Sequence, residues 1–330
     1  MLKSVSMNHQ FSEFLNEPFH IGSLRLPNRL IQGPLAGFSC APFRQLYYQF
    51  KPPAYCVSEM ISAHDIVYKH PVNSRYLYRA PEETRLCYQI SGQDPSMMAE
   101  AARRLEALGA DLIDLNAGCP KNKIRKKGAG SALLDNPVLL CEIVRAVRKA
   151  IAIPLTVKLR IQGDMHDMDL AQSLEDAGAD ALIIHGRRWT DDYDTPSDWH
   201  QIRHIKDIVQ IPVIANGDIS DKNSLIKAIE MSGTAAYMIA RAGSGKPWLY
   251  QALLENHSMK VPLRAQIHLF ITHLEGLSQL ESEHQAILQS KSLVRYYFGK
   301  ELSAMQLKHF YSLTDLKTIA LYLMDCLVPS

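Results

Sequence analysis

Cys119 lies in the run DLNAGCPKNKIRKKGAGSALL at 114–134, three residues past Asn116 and between Gly118 and Pro120. A lone cysteine is usually a buried apolar filler. One set among turn-forming residues and followed by five cations, Lys121, Lys123, Arg125, Lys126 and Lys127, reads instead as a reactive acid or nucleophile. The cations themselves fit either a solvated loop or contact with a phosphate backbone beside the reactive thiol, and their place next to Cys119 favours the second.

Two further stretches carry anion-binding chemistry, Asn216-Gly217-Asp218 and Arg241-Ala242-Gly243-Ser244-Gly245. Glycines let backbone N–H groups approach a phosphate, and an arginine adds charge and paired donors. Lys158 could stabilise an anionic cofactor ring or form a Schiff base, and nothing local separates these uses. His185 could donate to the same ligand.

Such side chains act together only if the fold brings them together. Eight short apolar runs begin near 30, 54, 85, 111, 154, 180, 211 and 235, separated by amphipathic stretches such as PSMMAEAARRLEALGA and NPVLLCEIVRAVRKA. Strands alternating with helices imply parallel βαβ units, and eight of them imply an α/β fold, a (β/α)8 TIM barrel. No GxGxxG follows any run, which argues against a doubly wound sheet. The runs end in Ala36, Glu59, Gln89, Asn116, Lys158, His185, Asn216 and Arg241, so most place a polar side chain at the barrel mouth, where such folds build active sites. The loops after the seventh and eighth strands are then the two glycine-containing stretches. The 43-residue interval that opens with Cys119 is the longest, as a functional loop would be.

From about 263 the chain reads as helices only, RAQIHLFITHLEGLSQL, HQAILQSKSLVRYYFGKEL and DLKTIALYLMDCL, with ENHSMKVP as linker. The expected division is a barrel over 1–255 and a small C-terminal helical domain over 256–330. Length and composition agree: 330 residues, 47% hydrophobic and 21% charged, suit a soluble protein with a sizeable core. A formal net charge of +2 names no polyanionic partner by itself. Six scattered cysteines without a CxxC pair suggest neither a disulfide framework nor a metal site, and imply the reducing cytoplasm. The first twenty residues lack the apolar core of a signal peptide, and no apolar run is long enough to span a membrane.

The chain resembles the tRNA-dihydrouridine synthases, most of all their bacterial B subfamily. The resemblance rests on NRLIQGPLAG at 28–37, VSEM at 57–60, QISG at 89–92, DLNAGCP with GAGSALL at 114–134, VKLR at 157–160, IHGR at 184–187, IPVIANGDI at 211–219 and GKPWL at 245–249. It implies FMN at the barrel mouth, with Pro34, Leu35 and Ala36 beneath the flavin and Gln89, Lys158 and His185 around its ring and ribityl chain. Asn216, Gly217, Asp218, Ala240 and Arg241 would hold the phosphate end. It implies that hydride passes from reduced flavin to carbon 6 of a D-loop uridine, with uridine 17 as the candidate, that Cys119 protonates carbon 5, and that NADPH regenerates the flavin. A thiol is protonated at neutral pH yet surrenders its proton readily, which suits that role. The tRNA side would include Asn116, Lys121, Lys123, Lys126, Lys127 and Arg187, with Lys291 and Arg295 on the helical domain. The protein is expected to be monomeric and metal-free.

Three positions depart from the family pattern. Gly33-Pro34-Leu35-Ala36 replaces Ala-Pro-Met-Ala, Ala240-Arg241 replaces Gly-Arg, and QSKSLVRYYF replaces an Arg-Lys-His signature in the helical domain. Two alternatives follow: a flavin barrel acting on a free pyrimidine, or an RNA-binding paralogue without flavin.

Overall fold

The computed structural model describes residues 10–192 and 194–328. Residues 1–9, part of the amino-terminal stretch read above for a leader, lie outside them.

A hairpin, β1 (Phe19–Ile21) and β2 (Leu24–Leu26), precedes eight parallel strands. These are β3 (Leu30–Gln32), β4 (Cys56–Ser62), β5 (Leu86–Ser91), β6 (Leu112–Ala117), β7 (Leu155–Arg160), β8 (Ala181–His185), β9 (Val213–Asn216) and β10 (Ala236–Ile239). Each pairs with the next and β10 pairs with β3, closing the barrel. The expected TIM barrel is present. The expected strand ends shift in detail: Ala36 lies in the loop beyond β3 and Arg241 opens a short 3-10 helix, Arg241–Gly243, beyond β10, while β4, β5 and β7 continue past Glu59, Gln89 and Lys158.

Helix starts are marked by short polar side chains that accept otherwise unpaired backbone N–H groups. Asp94 and Asn136 cap helices Pro95–Ala107 and Pro137–Ala150, each with proline in the first turn, and Asp198 and Asp221 do the same for Trp199–Ile208 and Lys222–Ser232.

Two apolar layers hold the barrel. Outward-facing residues such as Tyr88, Leu115, Val157 and Ile184 pack beneath the surrounding helices. Inward-facing Ile31, Val57, Cys87, Leu112, Ile183, Ile214 and Met238 join Phe19, Ile21 and Leu26, so the hairpin plugs the lower end. Above this plug the inward side chains become polar: Gln89, Asp114, Asn116, Thr156, Lys158 and Asn216. The site is raised on an apolar floor.

The helical domain has four helices where three were expected: Leu263–Leu280, Glu283–Phe298, Ala304–Phe310 and Leu316–Leu327. The additional short helix is nucleated by a reciprocal capping box between Ser303 and Gln306. Phe270, Leu274, Leu293, Phe298, Phe310, Ile319 and Leu323 form its core, which continues onto Cys40 and Leu46 of the segment after β3. Burying each such Leu, Ile or Phe contributes ~1.5–3 kcal/mol. The domain is thereby fastened beside the barrel mouth. Among the described residues no helix is long and apolar enough to cross a membrane, and no group of three or more His, Cys, Asp or Glu could hold a metal.

Candidate active site

The carboxyl ends of β7 to β10 enclose a cavity of about 720 Å³. Pro34, Lys158, His185, Asn216, Gly217, Asp218, Ala240 and Arg241 line it together, joined by Arg160, Arg187 and, from the helical domain, Tyr296. Lys158 donates from Nζ to Asn216 Oδ1 at 2.8 Å, and Asn216 donates from Nδ2 to the Met238 carbonyl at 2.9 Å. Three strands are thus cross-braced directly under the opening.

The wall is strongly cationic. Burial pulls the Lys158 ammonium down to about 8, opposed by the carboxylate of Asp114 and reinforced by Arg160. His185 is pushed to about 2 by burial and then by Lys158, Arg160, Arg187 and Arg241, so its imidazole is neutral and offers one donor and one acceptor. Such a wall suits an anionic ligand.

Gly217 has φ +127°, and a Cβ there would fall 2.1 Å from Ser197 Oγ. Asp218 follows at φ 47° and accepts from Arg187 Nη2 at 2.6 Å and from the Ser197 N–H at 2.8 Å. The tight turn is therefore held by its own ion pair. Arg187 is only 4% exposed and also donates to the Thr195 carbonyl, so its visible work is to shape this wall.

The second glycine stretch differs from its expected role. A Cβ on Gly243 would meet Gln32 Oε1 and the Tyr47 hydroxyl, and one on Gly245 would strike the backbone of Tyr296. These glycines let the loop pack against the barrel and the helical domain. Only Ala240, Arg241 and Ala242 of that region face the cavity.

Other expected residues sit apart. Gln89 is wholly buried below the cavity, its Nε2 bonded to Asp114 Oδ2 at 2.7 Å and its Oε1 to Asn116 at 2.8 Å. Leu35 packs against the core and Ala36 is exposed, so of the Pro34–Ala36 segment only Pro34 lines the cavity. Asn116 turns its Oδ1 to the N–H groups of Cys119, at 3.0 Å, and Gly118, at 3.3 Å. It organises the loop.

Cys119 is half-buried at the mouth. Its carbonyl accepts from both the N–H and the hydroxyl of Ser131 at 3.0 Å. Gly130, at φ +62°, permits this closeness, since a Cβ would stand 2.7 Å from the same carbonyl oxygen. The GAGSALL segment thus folds back as the platform of the reactive loop. Arg160, quoted in the sequence but given no role, donates from Nε to the Gly118 carbonyl at 2.9 Å and joins the loop to the cationic cavity.

The basic run divides. Arg125 turns inward, pairing with Asp135 at 2.7 Å and lying 3.6 Å over the Trp189 ring. Lys121, Lys123, Lys126 and Lys127 are exposed, and Lys123 and Lys127 line a second cavity of about 910 Å³ with His64, His70 and Tyr76. Lys291 and Arg295 line a third, of about 710 Å³, with Phe38, Tyr296 and Tyr311. Tyr296 belongs to both this groove and the first cavity, and sequence reasoning missed it because nothing in QSKSLVRYYF marks which aromatic faces the barrel.

A family model described as Dihydrouridine synthase matches residues 31–320, from the first barrel strand into the last helix. The chain belongs to the dihydrouridine synthase family. tRNA-dihydrouridine synthase B of Pseudomonas aeruginosa is 36% identical over 287 residues, covering 84% of this chain and 86% of that protein. The enzyme of the same name from Vibrio parahaemolyticus is 33% identical over 303 residues, 89% of this chain and 94% of that protein. Among solved structures, an old yellow enzyme homologue from Zymomonas mobilis superposes with a TM-score of 0.56 at 16% identity, over 74% of this chain and 94% of that one. Morphinone reductase in complex with tetrahydroNAD gives 0.55 at 16% identity, over 75% and 92%. These last likenesses are of fold.

One departure of this dihydrouridine synthase from its family pattern has a local cause. A Cβ on Gly33 would stand 2.9 Å from both Cγ and Sδ of Met238, so the methionine occupies the space that an alanine there would need.

Proposed function

We propose that this dihydrouridine synthase binds FMN in the cavity at β7–β10 and reduces a D-loop uridine of tRNA, at position 17, with NADPH as reductant. The observation that carries the reading is the joining of two sites by Arg160: a cationic cavity sized for a cofactor, and a half-buried thiol on a braced loop at its rim. Ligand cavities typically measure ~300–1,000 Å³, and a donor-rich wall matches a phosphate and an electron-rich ring.

Lys158 and the neutral His185 would face the ring, while Arg241 and the Gly217 turn would hold the phosphate. When bound, FMN would supply a hydride to carbon 6 of uracil after taking one from NADPH. Cys119 would hold the proton for carbon 5 at Sγ, the Asn116 and Ser131 bonds fixing its backbone. The uridine must leave its stack to arrive there, as enzymes acting on bases require. Lys121, Lys123, Lys126 and Lys127 would meet the flanking phosphates, and Lys291 and Arg295 would meet tRNA beside the helical domain. The protein would act as a cytoplasmic monomer, without a metal.

Purified protein should be yellow, release FMN on denaturation, bleach with NADPH under anaerobic conditions, and form dihydrouridine in tRNA lacking it. Absence of flavin together with absence of product refutes the reading. Product at another D-loop position refutes only the assignment to position 17.

A further inference from the structure

Beneath the reactive loop lies a line of four buried polar side chains whose donors and acceptors admit one arrangement. Asp114, Gln89 and Thr156 are 0% exposed and Asn116 is 8% exposed. Asp114 accepts from Thr156 Oγ1 at 2.6 Å and from Gln89 Nε2 at 2.7 Å. A carboxylate can only accept, so Gln89 must turn its nitrogen down and its Oε1 up. That oxygen accepts from Asn116 Nδ2 at 2.8 Å. Asn116 must in turn leave its Oδ1 free for the N–H groups of Cys119, at 3.0 Å, and Gly118, at 3.3 Å. Reversing either amide would set donor against donor in a buried place.

We infer that Asp114 is a positioning residue: its carboxylate sets the polarity of the Gln89–Asn116 relay and so holds the Cys119 backbone in one conformation. Its hydrogen bonds run to Thr156 and Gln89, and it reaches the cavity wall through its charge on Lys158. Its effect on catalysis rests on the acid role proposed for Cys119, whereas its effect on the loop does not. Burial pushes the Asp114 carboxyl up to about 6, while the bonds from Thr156 and Gln89 and then the charge of Lys158, one strand away and two residues above Thr156, favour the carboxylate.

Asp114→Asn keeps the shape but lets the side chain present either a donor or an acceptor to Gln89, so the relay loses its imposed direction. Adding Gln89→Glu moves the carboxylate one place up. The carboxylate now at position 89 would accept from the amide introduced at position 114 and from Asn116, restoring the acceptor that faces Asn116 and keeping the net charge. The experiment measures alkylation of Cys119 by iodoacetamide, by mass spectrometry of its peptide, together with dihydrouridine formed per bound flavin.

The single variant should alkylate at least about fivefold faster and form product at least about fivefold slower per bound flavin, measured at saturating FMN because loss of the Asp114 charge also lets the Lys158 ammonium fall further. The double variant should return both rates to within about twofold of the parent. An insoluble single variant beside a soluble double variant with parental alkylation supports the inference equally. Parental alkylation in the single variant, a double variant no closer to parent than the single, or two insoluble variants overturn it. A parent that forms no dihydrouridine, with the alkylation pattern as expected, overturns the functional reading and leaves the relay standing.

Discussion

The Nε of Arg160 donates to the carbonyl oxygen of Gly118 at 2.9 Å, while its Nη1 donates to the Arg188 carbonyl at 3.0 Å. One side chain from β7 therefore ties the residue next to Cys119 to the loop after β8. Arg160→Met should keep the barrel folded but free the loop. Hydrogen bonds from charged donors contribute ~1.5–3 kcal/mol, which is about 10- to 100-fold in the rate of product formation if the loop must be held during the reaction. Single-turnover rates with reduced enzyme and tRNA check this, and a loss under about threefold would assign Arg160 to the cavity alone.

Cys119→Ala should retain flavin and its reduction by NADPH, because the thiol lies outside the cavity lining. Dihydrouridine formation should fall ~10²–10⁴-fold, the usual worth of a general acid. Formation at the parental rate would remove Cys119 from the acid role.

FMN affinity should weaken as pH rises above about 8, where the buried Lys158 loses its charge. A bound anion raises that pKa, so binding takes up a proton on the alkaline side and is favoured by lower pH, by at most about tenfold per pH unit for one proton. Lys158→Met should weaken binding at pH 7 and flatten the alkaline limb. Titration by flavin fluorescence gives both, and an equally steep limb in the variant would point to another group.

Arg75 bridges the domains. Its guanidinium lies 2.7 Å from Glu59 on β4 and 2.5 Å from Glu281 at the end of the first domain helix, and it also reaches the Gly37 carbonyl at 3.3 Å. Arg75 and Glu59 side chains are 9% and 5% exposed, so Arg75→Met strands a buried carboxylate, at a cost of about 3–5 kcal/mol. Adding Glu59→Gln should recover part of that stability. Denaturant unfolding of the three proteins tests it, and a loss below ~1 kcal/mol in Arg75→Met would show that the bridge is well hydrated.

Neutralising Lys123, Lys126 and Lys127 together should weaken tRNA binding and leave flavin reduction intact. Each lost phosphate contact should flatten the slope of log affinity against log salt by ~0.7–0.9. An unchanged slope with flavin retained would move the RNA surface to Lys291 and Arg295.

The barrel, the appended helices and the Cys119 loop were legible in the sequence because each is written in local patterns: apolar runs at regular intervals, amphipathic stretches between and after them, glycines and proline around the thiol. Lys158, His185 and Asn216 were legible as neighbours for a related reason, since a parallel barrel sends the ends of all its strands to one mouth. Other assignments depended on which way a side chain turns. Gln89 ends a run just as Lys158 does, yet an acceptor-only Asp114 on the adjoining strand draws its amide downward. Gly243 and Gly245 look like a phosphate cradle, yet they make room for Gln32, Tyr47 and Tyr296. Arg125 belongs to a basic run, yet Asp135 and the Trp189 face claim it. Local sequence sets the path of the backbone through short-range propensity and periodicity, whereas donor and acceptor partners lie tens to hundreds of residues away. Hydrogen-bond direction and charge pairing were settled only when closure of the barrel and docking of the helical domain brought those partners into contact.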